Sequence, residues 1–145
     1  MKRIRLLVVI GLVAVALPLG LTTARATGST GTTNSVTIQQ YADYDAAGFV
    51  LDVGLYVTCK KGTGGVDRGL VDVTVNQYPP QTPYPVGFGT GPQPVVCDGR
   101  THAVGVTIVG EGFDAGLAKA TATLTPPPGG GRSVTTTKWI TIVVV

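Results

Sequence analysis

The stretch "FVLDVGLYVTC", residues 49–59, alternates apolar and polar positions without a break. Phe49, Leu51, Val53, Leu55, Val57 and Cys59 fall on one side; Asp52, Gly54, Tyr56 and Thr58 fall on the other. Successive side chains of an extended chain point to opposite sides, so period two marks a strand with one buried face. Cys59 is thereby placed on the core side. Working outward, "LVDVTVNQ" (70–77) repeats the pattern with Val71, Val73 and Val75 inward, and in "THAVGVTIVG" (101–110) His102, Val104, Val106 and Ile108 share a side. Further strands are expected near residues 35–41, 94–97, 116–125 and 133–144, about seven in all. No window shows the i, i+3, i+4, i+7 spacing of an amphipathic helix.

Turn chemistry separates these runs. "DYDAAG" (43–48), "KKGTGG" (60–65), "CDGR" (97–100), "GEGFDAG" (110–116) and "TPPPGGG" (125–131) carry the Gly, Pro and Asp that bend a chain for steric and hydrogen-bonding reasons. Seven short strands, each with one apolar face, predict an all-β domain. Its expected form is an immunoglobulin-like antiparallel β-sandwich over residues 34–145 with one disulfide.

The start of the chain reads as an export signal. Lys2, Arg3 and Arg5 precede an apolar run from Leu6 to Leu17, Pro18 breaks it, and Ala24-Arg25-Ala26 offers the small residues of a cleavage site. That run is shorter than the roughly 20 residues a spanning helix needs. Residues 1–26 are read as a signal peptide and 27–33, "TGSTGTT", as a flexible leader, giving a secreted, extracellular product with no stable membrane span. Cleavage would take four of the eleven basic residues and leave seven against eight acidic ones, a net charge near −1 instead of +3. The charge balance therefore offers nothing to a nucleic-acid partner, which wants a Lys/Arg cluster on the folded domain. In an oxidising compartment the two cysteines, Cys59 and Cys97, read as one disulfide.

Cys97, Asp98, Arg100 and His102 crowd into six positions and raise the question of catalysis. A cysteine nucleophile must be a thiolate beside a histidine. A sulfur bonded to Cys59 cannot serve, and Asp98-Gly99 is a turn dipeptide, so staple plus turn is the reading adopted. Ser29, Ser35 and Ser133 lie outside any Gly-x-Ser-x-Gly elbow. One His and no spare Cys fall short of a zinc site. Asp43 and Asp45 are spaced by one residue but lack the series of a calcium loop, and Glu111 with Asp114 reads as a glycine turn before a carboxylate pair. No catalytic residue, metal or cofactor is expected.

"YPPQTPYPVGFGTGPQP" (78–94) is read as a long loop with Tyr78, Tyr84 and Phe88 among its prolines and glycines. Stiff backbone and exposed rings suit a contact surface, which makes these three the candidate binding residues. The competing reading is a crossing whose rings pack on the core edge. The last residues, "KWITIVVV", are apolar on both faces, so the C-terminal strand is either covered or offered for self-association.

Cys97, Gly99, Phe113, Gly116, Ala118 and Ala120 carry a pattern that resembles an uncharacterised group of small secreted actinobacterial proteins with an immunoglobulin-like sandwich: a Cys-x-Gly turn leading a strand, then Phe-x-x-Gly-x-Ala-x-Ala. The resemblance covers about 30 residues and implies export and fold, with no activity. The expected function is a secreted, non-catalytic module binding a cell-envelope, protein or carbohydrate partner through loops. A small-ligand carrier with a loop-flanked cleft is the alternative, and a hydrolase using His102 a third.

Overall fold

Residues 33–78 and 87–145 are described by a computed structural model. The signal peptide read over 1–26, nearly all of the leader, and Tyr84 lie outside the described residues. Period-two alternation builds seven strands: β1 (Ser35–Asp45), β2 (Val50–Thr58), β3 (Arg68–Gln77), β4 (Gly87–Val96), β5 (Thr101–Glu111), β6 (Gly116–Thr125) and β7 (Val134–Val144). Their inward residues form one apolar cluster that includes Leu51, Leu55, Val73, Ile108, Leu124 and Ile140, all fully buried.

These strands do not form the expected open antiparallel sandwich. They close into a barrel in the order β1-β2-β5-β4-β3-β6-β7, with β7 returning to pair parallel to β1. The sheet is mixed. Long ladders join β2 to β5, β3 to β4, β3 to β6 and β6 to β7. Two short seams complete the ring: Phe88–Thr90 against Val109–Glu111 between β4 and β5, and Tyr41–Tyr44 against Thr141–Val144 between β1 and β7.

Sequence explains where each seam stops. β4 lies ten residues long on β3, with Pro92 opposite Asp72 and Pro94 opposite Leu70. A proline within a paired strand must turn its hydrogen-less nitrogen away from the partner. Both prolines therefore face β5, and the two donors they remove end that seam beyond Thr90. Glycine allows the close approach here: a Cβ on Gly91, one residue past Thr90, would stand 2.5 Å from the Thr107 carbonyl oxygen. At the other seam a register shift between Ile38 and Ala42 bends β1 away from β7. Lys138, an inward position of β7, bridges the gap by donating from Nζ to the Ile38 carbonyl at 3.1 Å.

The Cys59–Cys97 disulfide ties the end of β2 to the end of β4 across 38 residues. Gly69 makes room for it, because a Cβ there would meet Cys97 Sγ at 2.8 Å and the Thr125 carbonyl at 2.9 Å. Beside the staple, Asn34 takes the Lys60 N–H on Oδ1 and donates from Nδ2 to the carbonyls of Gly130 and Arg132. Phe113 and Tyr44 meet edge to face at the opposite end, ring centroids 5.5 Å apart. The Gln77 amide is buried there, and both its ends are satisfied by the main chain of Asp114. Phe49 departs from the expected inward position: it sits in the β1–β2 turn at φ 53° and is exposed.

Candidate functional site

The crowded segment after β4 is a bracing point for the chain. Cys97 N–H donates to the Asp67 carbonyl at 2.6 Å, and Gly99 N–H donates to the Cys59 carbonyl at 2.9 Å. Gly99 holds φ 84°, a conformation that favours glycine. Asp98 Oδ1 accepts from Arg100 N–H at 2.8 Å and from the His102 ring at 2.9 Å. The His102 hydrogen bond, with the Arg100 N–H behind it, holds the Asp98 carboxyl below its ordinary value of 3.8. For covalent catalysis a His–Asp pair needs a nucleophile placed against it. The adjacent sulfur, Cys97 Sγ, is bonded to Cys59, and the neighbouring Thr101 hydroxyl pairs with Thr58 at 2.7 Å. The arrangement stiffens the β4–β5 turn.

The other sequence candidates scatter. Asp43 stands exposed in β1 opposite Asp52, and Asp45 Oδ1 accepts from Ala47 and Gly48 N–H, an Asx turn. Glu111 ends β5 in the open. Ser35 and Ser133 are exposed at strand approaches. Among the described residues no group of three or more His, Cys, Asp or Glu could hold a metal ion, and no helix is long and apolar enough to cross a membrane.

The segment expected as a loop over 78–94 is a strand from Gly87 onward, which places Phe88 in β4 on the outer surface of the barrel. Tyr78 follows the end of β3 and is exposed as well. Register then brings together residues that the sequence scatters. Across the outer face of β4-β3-β6-β7 runs one row, Phe88–Asn76–Lys119–Trp139, and beside it a second, Thr90–Thr74–Thr121–Thr137. Phe88 and Trp139 are 54% and 55% exposed. Three strand spacings separate them, about 14 Å. In the second row the Thr121 and Thr137 hydroxyls lie 3.1 Å apart, and Thr123 and Thr135 repeat the contact at 3.0 Å. Toward β1, Leu117, Thr141 and Tyr41 continue the face, with Leu117 and Tyr41 exposed.

Sequence reasoning singled out Phe88 and did not single out Trp139, Asn76 or Lys119, which register places in its row. The signal for Trp139 was its parity, out of phase with the buried Ile140 and Ile142. Nothing local indicated that Phe88 and Trp139 share a row, since two intervening strands set it. No family model matches the chain, and no curated protein matches it.

Proposed function

We propose that this protein is an exported, non-catalytic β-barrel module that binds a carbohydrate of the cell envelope through the outer face of β4, β3, β6 and β7. The observation carrying this reading is the row Phe88–Asn76–Lys119–Trp139. Two rings flank an amide and an amine, and a row of threonine hydroxyls lies alongside. Sugars present apolar C–H faces to aromatic rings and hydroxyl edges to amides, amines and alcohols, so a polysaccharide laid across the strands would use both kinds of group. Aromatic rings, Trp above all, carry a large share of the binding energy where a partner covers them. Formal charge on the two rows is limited to Lys119, which suits a neutral or weakly acidic polymer. The reading of residues 1–26 as a signal peptide and the disulfide support placement outside the cytoplasm.

Trp139 is the single tryptophan of the chain, so its fluorescence reports on this face directly. Titration with soluble fragments of envelope polysaccharides should shift the emission, and retention on the insoluble polymers should fall at least about tenfold in Trp139→Ala and Phe88→Ala. Both variants should melt as the parent does, because neither ring is buried. Unchanged emission together with no retention on any polymer would sink the reading. Intact mass of the protein recovered from culture medium should begin at Thr27.

A further inference from the structure

The two short seams leave four stretches of strand edge without a backbone partner among the described residues: β4 beyond Thr90, β5 over Thr101–Val106, β1 before Tyr41 and β7 before Thr141. Natural sheets blunt such edges with proline, bulges or inward-pointing charge. Three of the four carry these devices. β4 has Pro92 and Pro94, β1 has the irregularity between Ile38 and Ala42, and β7 turns Lys138 inward onto the Ile38 carbonyl. β5 has none: Thr101-His102-Ala103-Val104-Gly105-Val106 contains no proline, no register break and no Lys, Arg, Asp or Glu. The edge is also open. His102 and Val104 point inward yet are only half-buried, whereas Val106 and Ile108 further along the same side are fully buried. Outward, Ala103 and Gly105 are exposed and small, and a Cβ on Gly105 would meet nothing within 4 Å.

We infer that two copies of this chain associate through β5, edge to edge and antiparallel about a two-fold axis. The pairing joins the β1, β2 and β5 strands of each copy into one six-stranded layer. A bare edge of unpaired N–H and C=O groups is satisfied by an extended strand, and a two-fold antiparallel arrangement makes this edge its own complement. The stretch carries no Lys, Arg, Asp or Glu, so its copy meets no repulsion between such like charges of the kind that keeps edges apart. Six residues a side bury little area, which sets a weak, concentration-dependent dimer. The C-terminal strand offers less backbone for the purpose, because Thr141 and Ile142 already pair with β6 on one side and β1 on the other.

The test uses the purified, disulfide-bonded protein. Sedimentation velocity over a concentration series should show a shift toward twice the monomer mass, and amide exchange at Thr101, Ala103 and Gly105, whose N–H groups turn away from β2, should slow as concentration rises. Gly105→Lys sets a cation on each copy beside the two-fold, and should weaken the dimer at least about tenfold. Thr123→Lys, on the opposite side of the barrel, should leave it unchanged. Ala103→Lys supplies the same repulsion should Gly105→Lys fold poorly. A protein that stays monomeric to millimolar concentration overturns the inference. So does a dimer indifferent to both β5 variants, with protection appearing at Val143–Val145 instead.

Discussion

The seam between β4 and β5 and the seam between β1 and β7 close the same barrel, and they are built differently. Between β4 and β5 the strands run antiparallel, glycines bring the backbones together, and prolines end the pairing without replacing what they remove. A disulfide from the end of β2, the other neighbour of β5, to the end of β4 and a hydrogen-bonded turn then hold the strand ends. Between β1 and β7 the strands run parallel, a register shift ends the pairing, and a lysine side chain substitutes for the missing backbone donor. A short seam can thus be secured at its end by a cross-link and a turn or along its length by a side chain. Parallel neighbours far apart in sequence have no tight turn to brace, so β1 and β7 have only the second route.

That contrast predicts a graded response to damage. Replacing Cys59 and Cys97 with Ser should have the largest effect: freeing a 38-residue loop in the unfolded state costs about 4 kcal/mol in the chain-entropy account. Denaturant melts of the oxidised and double-mutant proteins measure it directly. Gly91→Ala comes next, since the new Cβ would press on the Thr107 carbonyl. Overpacking of this kind costs about 1–3 kcal/mol, and amide exchange at Val109–Glu111 should accelerate while Tyr41–Tyr44 stay protected.

Lys138→Met should reverse that pattern at a smaller cost, about 1 kcal/mol for one hydrogen bond lost at a half-exposed site. Faster exchange should then be confined to Tyr41–Tyr44. Weakening of both seams together in either variant would show that they close as one cooperative unit rather than separately.

The smallest effect belongs to Asp98. Its carboxyl titrates lower in the folded protein than in the unfolded chain, so the stabilising contribution is complete above the ordinary value of 3.8 and is lost as pH falls through the depressed folded value. A stability profile measured downward from pH 5 should therefore drop more steeply for the parent than for Asp98→Asn. Parallel profiles would show that the pair with His102 does nothing for the fold.

Legibility followed the range of each interaction. Alternation over 49–59, 70–77 and 101–110 read correctly as strands, with the inward sets at Leu51 through Cys59, Val71 through Val75 and His102 through Ile108 on the side assigned to them. Cys59 and Cys97 are bonded, as their count and parity suggested. β4 was the failure. "GFGTGPQP" (87–94) looks like a loop because glycine and proline disfavour strands in general. It is a strand because β3 supplies a full ladder on one side and the glycines tolerate close packing on the other. That misreading also hid the outer face: with β4 taken as a loop, Phe88 had no register, and its row with Asn76, Lys119 and Trp139 could not be drawn.

By itself the sequence determined which residues of β2, β3 and β5 face inward, where the chain turns and which sulfurs join, because each depends on alternation, steric preference or count within a short span. Tertiary structure alone decided that the strands close into a barrel instead of lying as two open sheets, and which distant side chains share a row. Closure is a matter of pairing between strands separated by tens of residues, and each strand edge presents the same N–H and C=O groups whatever partner it will meet.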